Sequence, residues 1–210
     1  MERSEQQFAV FVTTMPVSSM VTLDEAKAHL HVDTTADDAR IQALIDGAEG
    51  YLGGTGGIMG RTFAQTTYTL TAPGFPTTQG PLSPYINDRI NFPKAIRLPF
   101  PPSIDIDVVG YTDPDGAAQV IDAANYVMFV DGFRGGLLAP VEGFQWPETQ
   151  RDNFNAIGIE YTAGYSLGSF PPQLRSAVLL LVQSWYDEPG RSDIPEVVRS
   201  LVAPLSTGWV

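Results

Sequence analysis

Cysteine is absent from this 210-residue chain, and only two residues, Lys27 and Lys94, are lysines. The lack of cysteine excludes disulfides, zinc–thiolate sites and thiol nucleophiles. The chain also lacks the apolar run of about 18 residues that a membrane-spanning helix requires, and the short run at residues 8–12 does not fit a signal peptide. We therefore expect a protein that is made and used in soluble form.

The chain is also short of positive charge. It has 24 acidic and 12 basic residues, which gives a formal net charge of -12. A surface of this sign repels phosphate backbones and argues against nucleic-acid binding through a basic patch. It suits a protein that lines a passage for DNA without gripping it, although many proteins are simply acidic. With 43% hydrophobic residues, the chain can build the core of one domain, or of one domain with a sizeable insertion.

Two helices are predicted behind a loosely attached lead-in of residues 1–20. Thr22 and Glu25 have the spacing of a capping box, which begins a short helix. A longer helix follows, which we expect Thr34 or Thr35 to cap. Its apolar residues recur at helical spacing: Ile41, Leu44, Ile45, Ala48 and Leu52.

A third helix is predicted over residues 172–188. One apolar stripe runs along it: Leu174, Ala177, Val178, Leu181, Val182 and Trp185. Leu179 and Leu180 add apolar surface outside this stripe, so the middle of the helix must be covered on more than one side. Either the chain's own sheet and helices cover it, or a neighbouring subunit does. A last short helix is predicted over residues 195–202.

The middle of the chain predicts strands. They cover residues 61–72, 95–100, 103–111, 118–121, 126–130, 137–139 and 157–161. In the third strand, alternation predicts Ile104, Ile106 and Val108 on one face and Ser103, Asp105 and Asp107 on the other. Residues 113–116 (DPDG) have the signature of a type I turn.

The order of helices, strands and helices predicts an α+β fold. We expect a small helical bundle from both chain ends, residues 1–60 and 166–210, with an inserted antiparallel β domain at residues 61–165. Between its first and second predicted strands lies a Pro-rich loop, residues 73–94. Loops of this length are usually functional or become ordered on binding.

Three patterns that resemble reactive sites favour plainer interpretations. The glycine-rich residues 53–62 lack the lysine and the strand-to-helix order of a phosphate-binding loop, so we interpret them as a flexible linker that also ends the second helix. His29 and His31 point to different sides of a helix and predict no metal site or catalytic triad; we expect them at a helix end, near its dipole. Asp105 and Asp107 lie about 7 Å apart on one strand face, a span that some glycosidases use, but a solvated face is the simpler interpretation.

Trp209 lies one residue from the C-terminus, after Pro204 and Gly208. It has no evident local core to enter. Either it folds back onto its own domain, or it anchors the tail in a pocket of a partner, as aromatic hot spots do.

An ordered set of motifs resembles the head-to-tail connector, or adaptor, proteins of long-tailed bacteriophages and related gene-transfer agents. The motifs are LDEAKAHL at 23–30, DD at 37–38, the helix at 41–52, IRLPFPPSI at 96–104, YTDPDG at 111–116, Tyr126, WP at 146–147, IEYTAGY at 159–165, PPQLRSA at 171–177, WY at 185–186 and LVAP at 201–204. The resemblance therefore extends over nearly the whole chain.

The resemblance implies a non-catalytic virion protein without cofactors. It implies a homo-oligomeric ring, commonly of twelve subunits, beneath the portal protein, which extends the DNA channel toward a stopper (head-completion) protein and the tail. The ring would be assembled in the bacterial cytoplasm and lie in the virion neck, with DNA passing through its lumen and no membrane involved. The alternatives are a stopper or tail-terminator protein, a carbohydrate-active hydrolase using Asp105 and Asp107, and a β-rich binding module.

The same resemblance implies three groups of contact residues in the ring adaptor. Portal docking is expected at Val198, Leu201, Val202, Pro204, Leu205 and Trp209. The subunit interface is expected at Leu179, Leu180, Gln183, Tyr186, Ile41 and Leu44. A stopper-facing loop is expected at Phe75, Tyr85, Ile86 and Arg89.

Overall fold

The computed structural model describes residues 8–14, 19–76, 94–131, 135–190 and 193–206. It contains both helices and antiparallel sheets, so the predicted α+β class is confirmed. The chain divides into two compact units. Residues Met1–Met15 and Thr66–Ala163 form a β-rich unit, and residues Pro16–Gln65 and Gly164–Val210 form a helical unit.

The helical unit is built around its own core. Its helices are α1 (Leu23–Leu30), α2 (Asp38–Leu52), α3 (Pro172–Asp187) and α4 (Glu196–Val202), followed by a 3-10 turn at Ala203–Leu205. The predicted stripe of α3 is buried from Leu174 to Val182, and α2 buries Ile41, Ile45 and Ala48 against the same core. Each helix thus turns one apolar side inward, as its sequence periodicity predicts.

The two helix starts differ in how well their sequences predict them. At α1 the capping box is present: the Glu25 amide donates to the Thr22 hydroxyl at 3.2 Å, and the Thr22 amide donates to the Glu25 carboxylate at 3.0 Å. At α2 the predicted threonine cap is wrong. The Thr35 carbonyl accepts from the Asp38 amide at 3.3 Å, which forms a turn before the helix, so Asp37 takes the cap position without a side-chain hydrogen bond.

The glycine-rich residues 53–62 are a packed turn, so the prediction of a flexible linker is wrong. A Cβ on Gly57 would lie 2.2 Å from the carbonyl oxygen of Gly53, which leaves room only for glycine. The Gly54 amide donates to the Arg61 carbonyl at 2.7 Å, and Met59 inserts its side chain fully into the helical core. The glycines therefore permit close backbone approach, and the turn is held by hydrogen bonds and apolar packing.

The β-rich unit contains two sheets. Its strands are β1 (Ala9–Thr14), β2 (Thr66–Ala72), β3 (Ile96–Arg97), β4 (Ser103–Thr112), β5 (Ala118–Val120), β6 (Tyr126–Asp131), β7 (Gly135–Pro140) and β8 (Ile157–Ala163). One sheet has the order β1-β2-β8-β4-β5 and the other the order β3-β7-β6, and all paired neighbours are antiparallel. Alternate residues of β2 and β8 are buried in one core.

The expectation of a loose lead-in at residues 1–20 is wrong for residues 9–14. These residues form β1, which pairs with β2 from Ala9 opposite Thr71 to Thr14 opposite Thr67. The apolar run AVFV at residues 9–12 is compatible with a strand. A run of this length does not indicate that it pairs with residues 67–71, more than fifty positions later in the chain.

Two predicted strands are shorter in the structure. The strand expected over residues 61–72 begins only at Thr66, because residues 61–64 run as buried irregular chain after the glycine turn. The strand expected over residues 95–100 is reduced to Ile96–Arg97, since Pro99 has no amide hydrogen to continue a ladder.

The predicted alternation along β4 is wrong. Ile104 and Val108 are exposed, whereas Ser103 is buried and accepts a hydrogen bond from the Gly136 amide at 2.9 Å. The pairing of β4 with β8 shifts register between Ser103 and Asp105 and again between Ile106 and Val108. Each bulge adds one residue and exchanges the faces of the residues beyond it.

The turn after β4 is as predicted. The Gly116 amide donates to the Asp113 carbonyl at 2.9 Å, and Gly116 has a φ of 88°, which favours glycine. The Asp113 carboxylate accepts from the amides of Asp115 and Ala117. It also accepts from the side chain of Gln119 at 2.9 Å, and this hydrogen bond is the main reason that the pKa of Asp113 is lowered.

Candidate interaction surfaces

The middle of α3 is covered largely by its own helical unit. Leu179 and Leu180, which lie outside the main stripe, are half-buried and pack against the helical core. Every residue of α3 from 177 to 186 is buried or half-buried. Of the two explanations for this apolar helix, the chain's own cover accounts for most of the surface. The exposed remainder at Leu179 and Leu180 is what a neighbour could still contact.

The polar residues at the C-terminal end of α3 contact helices of the same unit. The Gln183 side-chain oxygen lies 3.0 Å from Nε2 of His29, and the Tyr186 hydroxyl donates to the Asp37 carboxylate at 2.8 Å. That hydrogen bond raises the pKa of Tyr186. The Arg40 guanidinium lies 4.4 Å from the Tyr186 ring centre and donates to the Tyr186 carbonyl at 2.9 Å. Gln183 and Tyr186 therefore hold α3 to α1 and α2.

The two predicted interface residues on α2 differ in exposure. Ile41 is fully buried in the helical core, so its side chain is not at the surface for a partner to contact. Leu44 is half-buried at the margin of the same core. On α2, only Leu44 remains as a candidate for direct contact.

The predicted portal-docking residues also divide by burial. Val198 and Val202 belong to the helical core, and Leu201 and Leu205 pack partly against it. Pro204 is exposed, and Trp209 lies outside the described residues. The structure adds Val197, which is 52% exposed. Neighbouring helical residues face different directions, but the sequence did not indicate which of the two valines faces solvent.

Most of the predicted stopper-facing loop lies outside the described residues, including Tyr85, Ile86 and Arg89. Phe75 is described and buried, with its ring stacked on Trp146 at 4.7 Å between centres. The Trp146 indole donates to the Lys94 carbonyl at 2.8 Å. Trp146 thus contacts described residues on both sides of residues 77–93: Phe75 before them and Lys94 after them.

Asp105 and Asp107 are exposed and serve local hydrogen bonds. The Asp105 carboxylate accepts from the Ile106 amide at 2.9 Å, and the Asp107 carboxylate accepts from the Thr162 hydroxyl at 3.0 Å. A carboxylate that acts as a general acid is normally placed in an apolar, water-poor setting. The exposure of these two residues favours a solvated face.

The histidines lie at the end of α1, as predicted. His31 is the C-terminal cap residue, with a left-handed backbone conformation. Within the described residues, no group of three histidine, cysteine or acidic side chains could hold a metal ion. In the same part of the chain, no helix is both long and apolar enough to cross a membrane.

Glu49 is a half-buried polar residue whose contacts the sequence did not indicate. Its carboxylate accepts from the Ser19 hydroxyl at 2.6 Å, the Met20 amide at 2.7 Å and the Val21 amide at 3.1 Å. Burial raises the pKa of this carboxyl, and the hydrogen bonds offset part of the effect. Glu49 thereby fixes the segment before α1 to α2.

Comparison with known proteins identifies related sequences and folds. Residues 20–104, somewhat less than half of the chain, match the family model of phage gp6-like head-tail connector protein. The predicted resemblance to head-tail connectors is confirmed. No curated protein gives a significant match.

The fold is similar to chains in gene transfer agent (GTA) particles. One, from the neck of an empty GTA particle computed with C6 symmetry, superposes with a TM-score of 0.72 and 18% identity, covering 96% of this chain and 97% of that chain. A second, from the virion of a native GTA particle, superposes with a TM-score of 0.66 and 18% identity, covering 96% of this chain and 96% of that chain. A third, from the neck of a native GTA particle computed with C12 symmetry, superposes with a TM-score of 0.64 and 19% identity, covering 96% of this chain and 97% of that chain. At such low identity, the likeness to these chains of GTA particles is a likeness of fold.

Proposed function

We propose that this chain is a head-tail connector protein of a virion neck, in which copies form a ring beneath the portal and extend the DNA channel toward the stopper and tail. The observation that carries this proposal is the match of residues 20–104 to the connector family. Similarity of fold over 96% of the chain to a GTA neck chain supports it. The proposed role is structural, without catalysis or a cofactor, and the chain would be assembled in the bacterial cytoplasm.

The net charge fits a channel for DNA. Each copy carries a formal charge of -12, so a ring of about twelve copies would be strongly acidic, and we propose that its lumen shares that sign. DNA passing through such a lumen meets no adhesive basic contacts. The ring copy number is proposed from the resemblance, with support from a similar chain in a neck computed with C12 symmetry.

The helical unit is proposed to provide oligomerisation and portal docking, with residues Thr66–Ala163 of the β-rich unit as an insertion. For docking, the exposed residues Val197 and Pro204 are the best placed of the C-terminal segment, together with the half-buried Leu201 and Leu205. Val198 and Val202 would support this surface from the core. For contacts between copies, Leu179, Leu180 and Leu44 remain candidates. The loop at residues 73–94 is proposed to face the stopper.

Complementation in cells that produce the particles tests the docking surface. The exposed residue is changed in Val197→Asp, and a truncation after Ser206 removes the last four residues while keeping α4 and its core contacts. Both variants should fold, leave portal-bearing heads without tails, and lower infectious or transducing particles at least ~10-fold, because docking depends on a few central residues. The matched control is Val130→Asp, an exposed valine on β6.

The outcomes separate the two levels of the proposal. Normal tail attachment by both variants would overturn the docking surface while leaving the neck assignment in place. Immunogold labelling checks the assignment itself. Absence of the chain from isolated necks would overturn it, and a position on the tail side of the neck would support the stopper or tail-terminator alternative.

A further inference from the structure

Two glycines lie directly opposite each other inside the five-stranded sheet. Gly110 on β4 pairs with Gly158 on β8, and the next residues in the same row are Val120 on β5 and Thr71 on β2. The pairing around the glycines is regular, because both shifts of register in β4 come before Val108. Since residues directly opposite each other share a face of the sheet, two adjacent strands lack a side chain at the middle of this row.

The fold itself does not require glycine at either position. Neither residue has a positive φ. A Cβ on Gly158 would meet no atom within 4 Å, and a Cβ on Gly110 would lie 3.6 and 3.7 Å from two carbonyl oxygens, which is ordinary contact. Glycine weakens a strand and loses the cross-strand side-chain contacts that stabilise a sheet. Paired glycines at such positions therefore point to the close approach of another group.

The side chains around the two glycines are apolar or acidic. Val120 is 68% exposed and Val108 is 40% exposed. Val108 lies opposite Glu160, so Glu160 is on the same face of the sheet, two residues or about 7 Å along β8 from Gly158. Together with Gly110 and Gly158, these three residues form the glycine patch.

The charge on this sheet is of one sign. Its five strands contain three acidic residues, Asp105, Asp107 and Glu160, and no lysine or arginine. Asp105 lies opposite Thr162, and Asp107 accepts a hydrogen bond from it, so all three acids are on the face of the glycine patch. In the described part of the chain, no basic side chain pairs with any of them. Such a face repels phosphate and a second acidic copy, and it complements a partner with lysine or arginine at its contact.

We propose that the glycine patch binds a segment of a different protein of the particle. In this contact an apolar side chain of the partner lies over Gly110 and Gly158, beside the exposed valines, and a neighbouring lysine or arginine pairs with Glu160. The missing side chains let the partner approach the sheet closely, the valines exclude water, and the carboxylate selects for positive charge. The inference rests on the proposed function, since the partner is expected in the virion neck.

Filling the patch tests the inference without removing a contact of the chain itself. Gly158→Val should keep or raise the melting temperature, because valine is favoured in strands and the site is open. In complementation it should lower infectious or transducing particles at least ~10-fold, because valine takes the partner's place. The matched control is Gly56→Val, at an exposed glycine of the helical unit whose Cβ would also meet no atom within 4 Å, and it should stay within ~3-fold. Normal particle yield with Gly158→Val would overturn the inference.

The charge of Glu160 provides an independent test. Glu160→Lys should lower particle yield at least ~10-fold, and Glu160→Gln should lower it less, because only lysine adds repulsion toward a basic partner. The control Asp115→Lys makes the same change of charge at an exposed residue outside the patch. If this control is as harmful as Glu160→Lys, the effect is one of general charge and the inference is overturned.

Photo-cross-linking identifies what lies on the patch. A benzophenone amino acid replaces Val120 in copies expressed together with the parent chain, so that mixed particles assemble, and cross-linked peptides from isolated particles are sequenced by mass spectrometry. The expected product joins Val120 to a different protein, beside a lysine or arginine. A product within the same chain, with a second copy or with a segment that has no basic residue would overturn the inference, as would no product from assembled particles.

The two levels of the proposal fail in distinguishable ways. If the chain is labelled in isolated necks and Gly158→Val behaves like the parent, this inference alone is overturned. Absence of the chain from the necks would overturn the proposed function, whatever the cross-linking shows.

Discussion

Glu49 illustrates how one residue on α2 can fix a chain segment that has no secondary structure of its own. Its carboxylate receives three hydrogen bonds from residues 19–21, and Met20 and Val21 bury their side chains beside it. Removing the acceptor would leave two backbone amides without this partner in a largely apolar setting. Such amides are costly to leave unsatisfied.

Glu49→Ala is expected to destabilise the helical unit by about 1–3 kcal/mol, because the three hydrogen bonds are lost together. Glu49→Gln keeps an oxygen acceptor and should cost much less. Denaturant unfolding followed by far-UV circular dichroism measures both. Equal losses for alanine and glutamine would show that the acceptor oxygen does not matter and would contradict this account.

The pH dependence of the same residue follows from its raised pKa. A raised pKa means that the folded chain binds the proton more tightly than the unfolded chain. Below its usual titration range the carboxyl is protonated in both states, and its ionisation does not lower the free energy of unfolding. As the pH rises toward and through the folded-state pKa, ionisation lowers the free energy of unfolding by an increasing amount. Glu49→Gln cannot ionise, and its stability relative to the parent should therefore increase from about pH 4 to about pH 7. A difference that stays flat or falls would refute the assignment.

At the scale of elements, the sequence periodicity of α3 predicts which residues are buried but not which parts of the chain cover them. The spacing of its apolar residues predicts the buried stripe, and the stripe is buried from Leu174 to Val182. Periodicity could not say what covers Leu179 and Leu180, because the cover depends on where α1, α2 and α4 pack. In the structure both leucines are half-buried against their own core.

Leu181→Ala should cost about 2–5 kcal/mol in the unfolding free energy of the helical unit, since Leu181 is fully buried. The neighbouring Leu180→Ala should cost less than about 2 kcal/mol, because part of that side chain already meets water. Denaturant titration of the two variants side by side gives the comparison. If Leu180→Ala proves the costlier change, α3 is packed differently from the structure.

The hairpin of β4 and β5 depends on Asp113. Asp113→Ala removes the acceptor for Gln119 and for two turn amides, and should increase hydrogen exchange at Ala117 while leaving the core amide of Val109 unchanged. Because the pKa of Asp113 is lowered, its contribution is present above the usual aspartate range and is lost as the pH falls through the folded-state pKa. Parent and variant should therefore converge in acid, and a difference that persists there would contradict the assigned role.

Local signals predicted some elements well and others poorly, for identifiable reasons. The capping box at Thr22 and the turn at Asp113 are set by residues three apart or fewer, and both are present. The faces of β4 depend on its register against β8, a strand more than forty residues later, and its two bulges left no mark in the sequence. For the surfaces, the sequence indicated the C-terminal segment but could not separate the exposed Val197 from the buried Val198.

At the scale of the whole molecule, each of the two units has its own core. In the β-rich unit, Thr66 is paired with Ala163, so the chain enters and leaves that stretch at neighbouring positions. In the helical unit, the Phe63 carbonyl accepts from the Tyr165 amide at 2.6 Å. The two segments of the helical unit are therefore already adjacent where the intervening residues leave and return.

A chain in which a short glycine–serine link replaces residues 66–163 should fold as a helical protein, because its core residues all lie in the retained segments. Loop-closure entropy favours the short connection. Circular dichroism and cooperative thermal unfolding measure the outcome. The matched control also carries Leu181→Ala and should melt at a lower temperature. A molten, non-cooperative product would show that the helical core needs the β-rich unit.

The turn at residues 113–116 offers a practical consequence. Residues 114–120 are all exposed, and the turn is closed by its own hydrogen bonds. A small peptide epitope inserted after Asp115 would project into solvent and disturb no core side chain. Bound antibody fragments would then mark each copy in electron micrographs, so that subunits could be counted and the β-rich unit located along the particle axis.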